Sequence, residues 1–221
     1  MRNSDNADKL SPALIRRLPI YFRALIKLYG SGKERISSEE LASEISLAPS
    51  QVRTDIKALG CQGQRSYGYS IASLYRTIAA VLQLSDKYKA VIAGNTPLAA
   101  AIMETPVFMK RGVKLCAVFR DPETDIHRYL TQLPPDCPVY GYDVFPEFFG
   151  KYPPDVIILA DTPEKTEAFA AVLEKTLSKS TVKPPQIWNF SESQLTGFAL
   201  DVKNIHISDV IMLLCLELGK N

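Results

Sequence analysis

No stretch of this sequence is apolar over the roughly 18–20 residues that a membrane-spanning helix needs. The opening residues, MRNSDNADKL, lack the apolar segment of a secretory signal peptide. Four cysteines (Cys61, Cys116, Cys137 and Cys215) are scattered without a Cys-x-x-Cys pair, and only two histidines accompany them. That pattern speaks against a structural zinc site or a disulfide framework, so no metal, reduced thiols and a cytoplasmic location are expected. Glycine is missing where a dinucleotide-binding fold would use it most. The stretch VIAGNTPLAAA (91–101) runs from an apolar strand into an alanine-rich helix, yet carries only the first glycine of G-x-G-x-x-G, Gly94.

What is present is ordinary for a globular protein: 46% apolar and 23% charged residues. A chain of 221 residues holds two small domains or one large one. The charge is uneven. Residues 1–85 hold 12 Lys/Arg against 7 Asp/Glu, a balance of +5, and residues 86–221 hold 14 against 17, a balance of −3. The basic first third points to an anionic partner for that part alone.

Ser11-Pro12 opens a helix as N-cap and first helical residue, and Leu14, Leu18, Phe22, Leu25 and Leu28 continue it as an apolar stripe. Pro19 is expected to kink or restart that helix, and Gly30-Ser31-Gly32 to end it. Ser37 and Glu40 form a capping box ahead of LASEI, and after the turn SLAPS a second short helix begins near Ser50 and stops at Gly60. Two short helices behind a longer packing helix describe a helix-turn-helix. In the second, Val52 and Ile56 would face the core and leave Gln51, Arg53, Thr54 and Lys57 outward, side chains suited to base edges and phosphates. Amides near Ser50 would suit a backbone phosphate. CQGQRSYGYS (61–70) then reads as a two-stranded wing with Arg65 near its tip and Tyr67 beside it. The bland alternative is a three-helix packing module whose polar helix faces solvent. Residues 71–84 form a further amphipathic helix (Leu74, Ile78, Val81, Leu82), and Ser85-Asp86-Lys87-Tyr88-Lys89 a domain boundary.

From residue 89 strands alternate with helices: KAVIA, a helix from about Pro97 to Met109, KLCAVF (114–119), CPVYGY, DVIILA (155–160), a helix with Thr162 as N-cap and Pro163 at its first turn, then QIWNF (186–190) and NIHI (204–207). That order implies a parallel sheet covered on both faces, a Rossmann-like α/β domain with ligands at the carboxyl ends of its strands. DVIMLLCLEL (209–218) closes the chain as a helix too apolar to face water. It is expected to insert into a partner subunit, with packing on its own domain as the alternative. The domains expected are therefore 1–85, 86–208 and a terminal helix over 209–221.

Across nearly the whole chain this layout resembles the Rex family of redox-sensing transcriptional repressors. The resemblance is carried by RRLPIYFRAL (16–25), ISSEELA (36–42), QVRTDIKALG (51–60), RSYGY (65–69), VFRDPE (118–123), DTP (161–163) and WNFS (188–191). It implies a homodimer with exchanged terminal helices that binds a palindromic operator in double-stranded DNA and releases it when NADH binds. Pairing with a conventional Rex chain is left open. The DNA-binding residues it implies are Arg16, Arg17, Ser50, Gln51, Arg53, Thr54, Lys57, Arg65 and Tyr67, with Thr54 standing where the family usually has a basic residue.

The cofactor positions it implies are Gly94, Asn95, Thr96, Pro97 and Leu98 in the first turn, Arg120 and Asp121 after the second strand, and Thr162 and Pro163. Thr96 falls where the second glycine lets backbone approach the pyrophosphate, and Ala99 takes the third glycine's place. Pro97 removes an N–H from the helix start. Arg120 replaces the acidic residue that binds the ribose, with Asp121 next to it as a substitute, and an arginine there would also tolerate NADP(H). Thr105 and His206 fall where the family's switch has a tyrosine and an aspartate. His127 receives no role. These departures lead to the expectation of a Rex-like repressor whose NADH response is weakened, lost or redirected. The alternatives are a working NADH/NAD⁺ sensor, and an oxidoreductase with a regulatory first domain. No Tyr-x-x-x-Lys pair or positioned His–Asp pair is recognisable beside the expected nicotinamide pocket, so the chain is not expected to be an enzyme.

Overall fold

The computed structural model describes residues 10–63, 67–84, 88–105, 112–123, 133–134, 136–196 and 200–218. Arg65, His127 and the boundary residues 85–87 lie outside them. The chain divides into two compact units, Met1–Ser85 and Asp86–Asn221.

In the first unit, helix α1 (Pro12–Gly30) starts where Ser11 accepts the Leu14 N–H and Pro12 takes the first turn. All five stripe residues from Leu14 to Leu28 are buried. The helix continues through Pro19 without a restart. A proline inside a helix costs about 3 kcal/mol. Burial of Leu14, Leu18, Tyr21, Phe22 and Leu25 on either side of it outweighs that cost.

Strand β1 (Arg35–Ile36) leads to α2 (Ser38–Ile45), whose capping box is complete: Ser37 Oγ accepts from Glu40 N, and Glu40 accepts from Ser37 N. Ser46, in the left-handed region at φ 54°, turns the chain into α3 (Pro49–Ala58). Strand β2 (Tyr69–Ser70) and helix α4 (Ile71–Val81) follow. The wing differs from the sequence expectation. Its two strands are not both drawn from CQGQRSYGYS; β2 pairs antiparallel with β1, Arg35 opposite Ser70 and Ile36 opposite Tyr69. Gly68 makes that pairing possible, since a Cβ there would lie 2.5 Å from the Ile36 carbonyl oxygen, and its φ is +66°. One core joins these helices through Leu18, Leu25, Leu41, Val52, Ile56, Leu74 and Ile78. This is a winged helix-turn-helix.

The second unit is Rossmann-like. Strands β3 (Tyr88–Ala93), β4 (Val113–Arg120), β5 (Val139–Gly141), β6 (Val156–Leu159), β7 (Gln186–Asn189) and β8 (Val202–Asn204) form one parallel sheet in the order β5-β4-β3-β6-β7-β8. Alternate strand residues build two cores. On one face Val91, Phe119, Ile157 and Leu159 meet α6 (Phe145–Lys151) and α7 (Pro163–Leu177) through Phe145, Phe148, Phe169 and Leu173. On the other, Ile92, Val118 and Ile158 meet α5 (Pro97–Met103) through Ala99 and Met103.

Three details depart from the sequence reading. Helix α6 was not anticipated; its phenylalanines pack edge-on against Phe119, at 5.3 Å for Phe145 and 5.2 Å for Phe148. The last strand is Val202–Asn204 rather than NIHI, because Ile207 already begins helix α8 (Ile207–Leu218). Helix α5 ends at Met103 with Glu104 as its C-cap, short of the expected Met109, and residues 106–111 lie outside the described ones. Helix α8 does not pack on its own domain: Ile207, Val210, Ile211, Met212, Leu213, Leu214 and Leu216 are all between 49% and 63% exposed. No helix among the described residues is long and apolar enough to cross a membrane.

Candidate functional site

In the first unit, α3 presents Ser50, Arg53, Thr54 and Lys57 to solvent, and Arg16 is exposed on α1. Arg53 reaches back to α2, where Nη1 lies 3.0 Å from Glu39 Oε1 and 3.3 Å from Ser38 Oγ. Both ends of that pair are solvated, so it holds Arg53 weakly. Thr54 turns its hydroxyl inward to the Ser50 carbonyl, at 3.0 Å. In the wing, Tyr67 is 71% exposed with the Arg35 guanidinium 5.9 Å from its ring centre, and Arg35 Nε donates to the Tyr67 carbonyl at 2.8 Å. Arg35, absent from the sequence expectation, is the cation that fixes the base of the wing.

Two expected contacts are occupied inside the fold. Arg17 donates to Asp55 from Nη2 at 2.7 Å and from Nε at 2.8 Å, and Gln51 Nε2 donates to the same carboxylate at 2.8 Å. Tyr21 Oη completes the set at 2.9 Å. Asp55 is buried. Burial alone pushes its carboxyl up, but the hydrogen bonds from Arg17, Gln51 and Tyr21 together hold it below the ordinary carboxylate value. Burial, and then the bond to Asp55, push the Tyr21 phenol up. A buried charge needs such partners, so Arg17 and Gln51 fasten α1 to α3. The sequence held the signal: Asp55 falls on the Val52/Ile56 face, and a charge there calls for a cation on the facing stripe.

In the second unit the strand order reverses beside β3, which sets the switch point where this fold takes ligands at the carboxyl ends of β3 and β6. Gly94, at φ +149°, lies against the Ala160 carbonyl so closely that any Cβ would collide with it. Thr96 is the N-cap of α5: its Oγ1 accepts from Ala99 N at 3.1 Å and donates to the Ala160 carbonyl at 2.7 Å. Asn95 is buried, Leu98 half-buried and Pro97 exposed. At the end of β4, Arg120 Nη1 folds onto the carbonyls of Asp121 and Pro122, at 3.0 and 2.9 Å. Asp121 accepts from Glu123 N at 3.0 Å and stands 3.6 Å from Lys165 Nζ. Past β6, the buried Asp161 accepts from Tyr142 Oη at 2.9 Å and from Thr162 N at 2.8 Å. Burial, and then the Asp161 charge, push the Tyr142 phenol well above its usual range, so it stays a donor. Pro163, in the first turn of α7, supplies no N–H. Tyr142, Asp161 and Lys165 were not singled out in sequence.

A dinucleotide in this fold would set its pyrophosphate against the first turn. Of the first three α5 residues, Pro97 has no N–H and the Ala99 N–H is already taken by Thr96. Two of the three amides at the start of α5 are thus withdrawn from that group. The residues at the two positions expected for a switch bond to other groups of the second unit. Thr105 Oγ1 donates to Ile102 O at 2.8 Å, and His206 sets Nδ1 2.7 Å from Ser191 O and Nε2 3.1 Å from Gln194 Oε1. Among the described residues no hydrogen bond joins the two, and none contains a cluster of three or more metal-ligating groups.

Comparison with known proteins places these features in context. A family model described as "Putative DNA-binding protein N-terminus" matches residues 9–56. The chain is 33% identical over 212 residues to the redox-sensing transcriptional repressor Rex of Clostridium acetobutylicum, covering 95% of this chain and 94% of the relative. It is 31% identical over 207 residues to that of Clostridium novyi, covering 93% of each. Among solved structures it is similar to RSP, a Rex-family repressor, in complex with β-NAD⁺ and operator DNA: TM-score 0.71, 28% identity, 96% of this chain and 93% of that one. A second structure of RSP, with β-NADH, gives a TM-score of 0.69.

Proposed function

This chain belongs to the Rex family of redox-sensing transcriptional repressors, and we propose that it is a homodimeric repressor of a palindromic operator whose response to NADH is weakened, lost or redirected. DNA binding is supported by the exposed cations of the helix-turn-helix and by the operator complex of RSP. Arg16, Arg53 and Lys57 contact phosphates or base edges; Ser50, Thr54, Tyr67 and Arg65 are further DNA-contacting residues; Arg17 and Gln51 hold α3 in position. Residues 1–85 act as the DNA-binding domain, 86–208 as the sensing-type domain and 209–221 as the dimerisation segment. The bare apolar helix α8 supports dimerisation, because seven large exposed side chains on one short helix need a partner's surface.

The observation that carries the weakened response is the occupied phosphate turn: Thr96 takes the Ala99 N–H, and Pro97 offers none. A second reading has its own support. RSP, 28% identical over nearly the same length, has been solved with NAD⁺ and with NADH, which favours a working sensor. Fluorescence anisotropy of a labelled Rex-type palindrome, at fixed salt because phosphate contacts make affinity steeply salt-dependent, separates the two. Tight binding that NADH leaves unchanged is the expected result. Release by micromolar NADH establishes the second reading, and no binding at all refutes both.

A further inference from the structure

Thr96 makes two hydrogen bonds in opposite directions. Its Oγ1 accepts from Ala99 N at 3.1 Å, closing the start of α5, and donates to the carbonyl of Ala160 at 2.7 Å, 64 residues away just past the end of β6. The surrounding backbone is tied to both neighbouring strands. Gly94 N donates to Phe119 O and Ala160 N to Ala93 O, each at 2.8 Å, and Gly94 leaves no room for a Cβ against Ala160. The β3–α5 and β6–α7 turns are thus joined by a side chain at the point where this fold ordinarily admits a ligand.

We propose that Thr96 is an internal occupant of the phosphate position: its hydroxyl takes the amide that a pyrophosphate oxygen would take and latches that turn to Ala160. Bulk alone is a different mechanism. A side chain that merely filled the space would need no hydroxyl, whereas the latch keeps a helix-start amide satisfied and ties down the opposite turn, both without ligand. The inference rests on the weakened-response reading and adds the residue and the bond that cause it.

The test is NADH titration of the full-length protein and of Thr96→Gly and Thr96→Ser, followed by isothermal calorimetry. Glycine at an N-cap costs only a few tenths of a kcal/mol, so the first variant keeps its fold, and a thermal melt verifies it. Serine keeps the hydroxyl and loses only the methyl. The expected pattern is feeble binding by the natural protein and Thr96→Ser, with at least about tenfold tighter binding by Thr96→Gly, the worth of one recovered hydrogen bond to a charged group. Hydrogen exchange gives a second readout: the Ala99 amide is protected without ligand in the natural protein, and in Thr96→Gly only when NADH is present. Micromolar binding by the natural protein overturns both the reading and the inference. Feeble binding by all three proteins overturns the inference and leaves the reading. Equal gains in both variants replace the latch with methyl bulk.

Discussion

Asp55 in α3 holds Arg17 in α1 through two hydrogen bonds, at 2.7 and 2.8 Å, with the carboxylate buried and the guanidinium side chain 22% exposed. The pair therefore fixes the helix that carries the exposed cations to the helix behind it. Asp55→Ala leaves Arg17 without its partner and is expected to destabilise the first unit by about 3 kcal/mol, as removal of one member of a buried pair does. Asp55→Asn keeps an acceptor for Tyr21 and Arg17 and loses less. Urea unfolding followed by amide exchange in α3 measures both, and an Asp55→Ala protein as stable as the natural one contradicts the role assigned to the pair.

The same carboxylate sets an acid limit. Its value is depressed in the fold, so the folded state binds its proton less readily than the unfolded chain. The stability it contributes is present above the ordinary aspartate value, about 3.9, and is lost as pH falls through the lower folded value. The difference in stability between natural protein and Asp55→Asn is thus expected to be full at pH 6 and to shrink below about pH 4. A difference that stays constant to pH 3 assigns the effect to packing instead.

Much of this architecture was legible in the residues. The α1 stripe, the Ser37/Glu40 capping box and the apolar strands follow from short-range periodicity, which tertiary structure reinforced. The failures are places where distant partners decide. PheProGluPhePhe (145–149) has no clear helical period, and becomes α6 because Phe119 offers it an aromatic surface. Pro19 signals a kink or a restart, and the restart is absent because buried neighbours on both sides of it hold one helix together. Thr96 was legible as an intruder among glycines, but its bond to Ala160 belongs to the β6 end of the fold and could not be read from the 91–101 stretch. At the recognition surface, side-chain type identified Arg17 and Gln51, and the hidden charge of Asp55 drew both inward.

Separating phosphate contacts from structural cations gives a third prediction. Lys57→Ala and Arg53→Ala are expected to weaken operator and non-operator DNA alike and to lower the slope of log affinity against log salt by about 1 each. Neither change should lower stability by more than about 1 kcal/mol, since Lys57 is exposed and the Arg53–Glu39 pair is solvated. Arg17→Ala reverses the signature, losing stability first. Salt titrations beside melting curves distinguish the two classes, and an unchanged salt slope for Lys57→Ala removes it from the interface.

Gly94 supplies a fourth. At φ +149° and against the Ala160 carbonyl, Gly94→Ala meets both backbone strain and a collision. The expected cost is about 2–3 kcal/mol, borne by the second unit alone. Differential scanning calorimetry should therefore show that unit's transition moving down while operator affinity at low temperature holds. A neutral substitution means that the β3 and β6 turns stand further apart than this structure places them.

The terminal helix supplies the last. From Ile207 to Leu216 its apolar residues are exposed on every side, which no single amphipathic docking face explains. A helix of this kind persists in water only if another surface wraps it, and under the proposed function that surface is a second copy. Leu213→Glu sets a charge in the middle of the helix, where burying it unpaired costs several kcal/mol. Light scattering is expected to find a dimer for the natural protein and a monomer for Leu213→Glu, with operator affinity falling because each half-site is then bound alone. Pairing through α8 is wrong if the variant remains a dimer. If the natural protein is itself monomeric at micromolar concentration, the two-fold reading of its DNA target fails as well.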